Sequence, residues 1–163
     1  MFIFIDDLYF QRFNDNYLMQ NKEVINGRPH NRPCYISIIE EDNGIQWAIP
    51  ISSQIEKYKQ IYNKKKKPCD TIVFGYVLGK EKAFLIQNIC PITNRYISKV
   101  YINKSINAPV DISVTLKQEL KNKAQKVLSL HNKGVKIIFP DVDKIKEKLL
   151  EEFNRVNVRD GSE

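Results

Sequence analysis

Ser52 and Ser53 follow a strand-like apolar run that stops at Pro50, and Lys57 comes four residues after Ser53. A helix opening at this hydroxyl pair would use Ser52 or Ser53 as its N-cap. The backbone N–H groups behind such a cap form an anion site. Ser53 and Lys57 would then lie one above the other on one helix face. Two hydroxyls, free N–H groups and an ammonium together suit a phosphate, with Gln54 beside them as a further contact. Ile51, Ile55, Tyr58 and Tyr62 recur at spacings of four, three and four, which makes one apolar stripe. Ser53, Lys57, Gln60 and Lys64 fall on the opposite side. The same pattern also describes an ordinary capped surface helix with a solvated lysine.

A second candidate segment is Arg28-Pro29-His30-Asn31-Arg32-Pro33. Arg28 and Arg32 offer bidentate phosphate contacts, and imidazole is the side-chain type that exchanges protons near neutral pH. Packed beside Ser53, His30 becomes a candidate general acid or base; otherwise this is a proline-stiffened surface loop. The run Lys64-Lys65-Lys66-Lys67 adds sequence-independent attraction for phosphates, or forms a solvated turn. Tyr58, Tyr62, Phe84, Tyr96 and Tyr101 are candidates for base stacking, with core packing the competing role for Tyr58 and Tyr62.

These residue types suit RNA, whose own 2′-OH attacks the neighbouring phosphorus once it is aligned. The site must then neutralise the developing charge and protonate the departing 5′-oxygen. Neither metal nor cofactor is expected. His30 and His131 belong to no ligand-spaced cluster, and no glycine-rich phosphate loop is present. Cys34, Cys69 and Cys90 are widely spaced and read as reduced packing thiols.

The elements that must position this chemistry are short. Phe2–Ile5 reads as a strand, followed by a helix capped by Asp6 or Asp7 through about Phe13. Asn14–Asn31 reads as a loop, and Pro33–Glu40 and Ile45–Ile51 as a hairpin joined at Asn43-Gly44. A helix over 52–62 leads to a second hairpin, Thr71–Val77 with Lys82–Ile89. A helix runs from about Asp111 to Asn132, with Thr115 and Gln118 as a capping box and Gly134 as its stop. Val135–Phe139 reads as a strand and a last helix follows Pro140. The sum is an α+β fold: a small, strongly bent antiparallel sheet or barrel decorated by helices, with a helical C-terminal third. Residues 1–157 form one domain and 158–163 a frayed tail.

The chain has 163 residues, 42% hydrophobic and 28% charged, which are globular values. A formal charge of +7 favours an anionic partner, nucleic acid first. The opening apolar run is too short for a signal peptide, and no stretch approaches a membrane span. A cytoplasmic location is expected.

Three strings carry a family resemblance: Arg32-Pro33-Cys34-Tyr35, the block from Trp47 to Tyr58, and Ala83 to Ile92. The chain resembles type III toxin–antitoxin endoribonucleases, in particular the CptN/TenpN branch related to ToxN and AbiQ. The resemblance runs to about residue 155. It implies an SH3-like barrel with added helices, as in the Kid/MazF toxins. It further implies metal-independent RNA cleavage leaving a 2′,3′-cyclic phosphate, inhibition by a small repeated RNA, and a cyclic protein–RNA assembly. The family's hydroxyl–lysine site would fall on Ser52, Ser53 and Lys57. In the ToxN pattern the lysine follows the hydroxyl pair more closely, where this chain has Ile55. Two other readings share the basic face: a non-catalytic RNA-binding module, and a barrel toxin neutralised by a protein antitoxin.

Overall fold

The computed structural model describes the backbone of residues 1–160 and the side chains through Val156. Strand β5 (Ile45–Ser52) is buried along its whole length, the result of a nearly unbroken apolar run. One edge of it carries β4 (Cys34–Glu40), joined through a turn with Gly44 at φ 67°. Along its other edge two strands follow each other: β8 (Cys90–Ile92) pairs with Gln46–Ala48, and β7 (Lys80–Leu85) with Ile51–Ser52. Pro50, which has no N–H to give to a ladder, falls where β5 changes from one partner to the other. A 3₁₀ turn at Ile86–Asn88 makes the corner between β7 and β8.

β6 (Ile72–Val77) completes one end of this seven-stranded sheet; β1 (Phe2–Ile5) and β9 (Ile97–Val100) complete the other. Every pairing in it is antiparallel. Among the described residues no ladder joins β6 to β9, so the sheet is open and the expected barrel is not closed.

Two small hairpins lie outside this sheet. One pairs β2 (Lys22–Ile25) with β3 (Arg28–Asn31), and the other pairs β10 (Ile102–Asn103) with β11 (Ala108–Pro109). The β2–β3 hairpin replaces part of the loop expected over 14–31. Asn26 and Gly27 both have positive φ, 51° and 73°, the two-residue turn that suits the twist of paired strands.

The helices cover the sheet. Short α1 (Asp7–Arg12) is capped by Asp6, whose carboxylate accepts from Leu8 N–H at 2.9 Å. α2 (Ile55–Lys64) sits on the β6–β7 end, burying Tyr58 against Cys69, Ile72, Ala83 and Leu85. α3 (Val114–Asn132) buries Leu116, Leu120, Ala124 and Val127. Its N-cap is Ser113, which accepts from Leu116 N–H at 3.2 Å, so the expected Thr115–Gln118 box is not the cap. α4 (Val142–Asp160) is fastened by Lys146, whose ammonium lies 2.7 Å from Glu40 Oε1 while Trp47 Nε1–H donates to the same oxygen at 2.8 Å. Val135–Phe139 is irregular instead of a strand; Phe139 N–H reaches Gln87 O at 2.9 Å. The tail expected over 158–163 begins inside α4, and residues 161–163 lie outside the described residues.

Gly75 of β6 explains how closely α3 approaches. A Cβ there would sit 2.4 Å from Leu116 Cδ2. Gly75→Ala is expected to destabilise the fold by about 1–3 kcal/mol through overpacking, read from urea or thermal unfolding. An unchanged midpoint would show that Leu116 yields without cost.

Candidate active site

Strand geometry gathers the site. In the β2–β3 ladder Glu23 lies opposite His30 and Ile25 opposite Arg28, and alternation places all four on one face. In the β5–β7 ladder Ser52 lies opposite Ala83, so the next step brings Ser53 beside Lys82. The two faces border an open cleft of about 910 Å³, lined by Glu23, Arg28, His30, Ser53, Lys80 and Lys82 among others, with Tyr101 in the wall.

Ser53 is the meeting point. Its hydroxyl accepts a hydrogen bond from the Lys82 ammonium, and its N–H donates to Glu23 Oε2 at 3.2 Å. The Ser52 hydroxyl donates to Glu23 Oε1 and accepts from Gln54 N–H at 3.1 Å. Beneath them Arg32 Nη1 lies 3.7 Å from Glu23 Oε1, and its guanidinium donates to Gln20 O and Ile51 O, each at 3.0 Å. Partial burial lowers the Lys82 pKa, Glu23 pulls it back up, and Lys80 lowers it again. Glu81 is taken by Lys59 at 2.9 Å. Among the described residues Arg28, Lys80 and Lys82 therefore face the cleft without an ion-pair partner within 4.0 Å. A cleft with free cations and a polarised hydroxyl is suited to a phosphodiester.

The fold resembles that of AbiQ. That solved structure, of a lactococcal anti-phage endoribonuclease belonging to the type III toxin–antitoxin system, superposes with a TM-score of 0.63 at 15% identity. The likeness covers 91% of this chain and 94% of AbiQ. No family model and no curated protein matches the chain. The likeness to AbiQ is one of fold, so the site is built from this chain's own side chains.

Of the residues singled out by sequence, Arg28, His30 and Ser53 converge in the cleft. Ser52, 1% exposed, is buried under it with its hydroxyl committed to Glu23. The expected Ser53–Lys57 pair does not form. β5 persists through Ser52 and α2 starts only at Ile55, so Ser53 is outside the helical register that would place Lys57 above it. Lys57 is exposed, with its ammonium 5.4 Å from the centre of the Tyr58 ring. Gln54 occupies the N-cap position and is exposed, but makes no side-chain cap; neither serine caps the helix as expected.

Arg32 is buried and bonded to the protein's own backbone, which corrects its reading as a phosphate contact. Tyr58, 6% exposed, is a core residue, and burial raises its pKa. Phe84 and Tyr96 are likewise buried. Lys64, Lys65, Lys66 and Lys67 lie at or beyond the far end of α2, about 15 Å of helix from its start. Lys67 sits over the Tyr62 ring at 3.2 Å and Lys65 6.0 Å from that of Phe139.

Glu23, Lys80 and Lys82 were not legible as site residues. Lys80 and Lys82 do alternate within a strand, which puts them on one face, but nothing local tells that β7 pairs with β5. Cys34, Cys69 and Cys90 are buried free thiols; burial pushes Cys90 to about 12. Among the described residues no three His, Cys, Asp or Glu side chains converge on a metal-sized site, and no helix is long and apolar enough to cross a membrane.

Proposed function

We propose that this protein is an endoribonuclease toxin of a type III toxin–antitoxin system, cutting RNA at the Ser53–Lys82 corner. The observation that carries the reading is the Lys82 ammonium held on the Ser53 hydroxyl at the edge of a cation-lined cleft. The AbiQ-like fold supports it. The 2′-OH of the scissile nucleotide attacks phosphorus, the O2′–P bond forms, and the P–O5′ bond breaks to leave a 2′,3′-cyclic phosphate. His30 takes the 2′-OH proton, an exchange suited to imidazole. Lys82 stabilises the charge gathering on the non-bridging oxygens and delivers a proton to the departing 5′-oxygen. Ser53 orients the phosphate through its hydroxyl, and Arg28 and Lys80 hold flanking phosphates. No step calls for a metal ion.

A small repeated RNA antitoxin would occupy the same cleft by phosphate contacts and base readout, excluding cellular or phage RNA. Tyr101 in the cleft wall is the aromatic placed to stack on a base. Repeats bound between successive protein copies would close a cyclic assembly in the cytoplasm.

Purified protein incubated with RNA in excess chelator is expected to give discrete products ending in 2′,3′-cyclic phosphate. Ser53→Ala is expected to slow their formation about 10²-fold, since one oriented polar contact in the transition state is removed. RNA bound without scission would overturn the enzymatic reading in favour of a non-catalytic module. Inhibition by a small acidic protein encoded beside it, and not by tandem-repeat RNA, would overturn the type III assignment.

A further inference from the structure

We infer that Glu23 is a positioning residue of this cleft, reaching from the β2–β3 hairpin to fix the Ser52–Ser53 corner and to hold the Lys82 ammonium on Ser53. The inference rests on the nuclease reading and adds a group that touches no substrate.

Glu23 is 6% exposed, and a carboxylate so placed is retained only with its charge and lone pairs met. Oε1 takes the Ser52 hydroxyl and lies 3.7 Å from Arg32. A latch between hairpin and sheet would need no more than that. Oε2 instead accepts the N–H of Ser53, whose hydroxyl holds Lys82. One carboxylate thus fixes both the backbone and, through its charge, the cation at the reacting corner. It also lies directly across the hairpin from His30, so the strand presenting Arg28 and His30 is anchored at the same point.

The titratable groups that line the cleft with Lys82 are Glu23 on β2, Arg28 and His30 on β3, Lys80 and Glu81 on β7, and Tyr101 in the wall. Glu81 is engaged by Lys59, which leaves Glu23 as the negative group opposing burial and Lys80. Loss of that charge makes Lys82 give up its proton at lower pH. Cleavage requires the ammonium, so activity would be lost at lower pH as pH rises.

The test is Glu23→Gln, nearly equal in size but neutral. Lysine side-chain NMR, with the Lys82 signal assigned by Lys82→Arg, is expected to show its titration midpoint moved to lower pH. Lys80→Gln should move it to higher pH. In RNA cleavage Glu23→Gln is expected to lower kcat about tenfold or more, leave KM within about twofold, and shift the alkaline limb the same way. An unmoved or raised Lys82 midpoint in folded Glu23→Gln overturns the inference. Should that variant not fold, Glu23→Asp keeps the charge but withdraws it by one methylene. A tenfold fall in its kcat supports the positioning role, and wild-type kcat overturns it. The NMR titration needs no RNA: a wild-type protein that cuts nothing, with a Lys82 midpoint that still answers to Glu23, would sink the nuclease reading and leave the coupling standing.

Discussion

Lys82→Ala is expected to slow RNA cleavage about 10²- to 10³-fold, while Lys57→Ala stays within about twofold of the parent protein. The contrast follows from backbone register. Ser53 belongs to the end of a strand whose ladder partner is β7, so the cation that meets its hydroxyl comes from that strand. Lys57, on the first turns of α2, lies over Tyr58 in solvent. A partly desolvated ammonium already held at the site needs little reorganisation when charge develops on the phosphate. Single-turnover rates at saturating RNA would separate this from weakened binding. A larger loss from Lys57→Ala than from Lys82→Ala would place the catalytic cation on the helix and not on the strand.

Arg32→Ala is expected to destabilise the fold by roughly 3–5 kcal/mol, because it strands the Glu23 charge in a buried place and frees two carbonyls. For a chain of this size that is about 6–20 °C in Tm. Arg32→Lys restores the charge but not the fork that reaches Gln20 O and Ile51 O together, so it should recover only part of the loss. Arg28→Ala, four residues earlier on an exposed position, is expected to leave the melting temperature unchanged. Its effect should be on RNA, as weaker binding and a salt slope smaller by about one. Thermal unfolding of the three variants, with RNA titrations at several salt concentrations, checks the division. A stable Arg32→Ala protein that binds RNA poorly would return Arg32 to the surface role its sequence suggests.

Local pattern reveals most of the elements of this molecule and little of how they meet. The β4–β5 hairpin is legible because Asn43-Gly44 separates two apolar runs, and α3 and α4 because their buried residues recur at helical spacing. The β2–β3 hairpin carries the same kind of signal in Asn26-Gly27, masked by a segment rich in asparagine with Pro29 beside the turn. The start of α2 is misplaced for a physical reason. Pro50 and two serines look like the end of a strand and the cap of a helix, yet β5 takes up β7 as a new partner at Ile51 and continues to Ser52. That displacement of about three residues undoes the Ser53–Lys57 register.

The site divides along the same line. Arg28, His30 and Arg32 stand out in the sequence as basic residues of one short segment; that β3 carries the first two on one face while Arg32 is buried depends on pairing and depth, which sequence does not show. Lys82 reaches Ser53, 29 residues away in sequence, only through the pairing of β7 with β5, and Glu23 only through a hairpin folded onto that corner. Non-local pairing of this kind leaves no trace in composition or spacing.

The most direct test of the central claim uses one RNA oligonucleotide cut at a mapped position and a second in which the nucleotide 5′ to that bond lacks its 2′-OH. If the cleft aligns the substrate's own hydroxyl on phosphorus, the first is cut and the second stays intact at that bond while binding as tightly. Scission of the deoxy-substituted linkage at an undiminished rate would contradict the account.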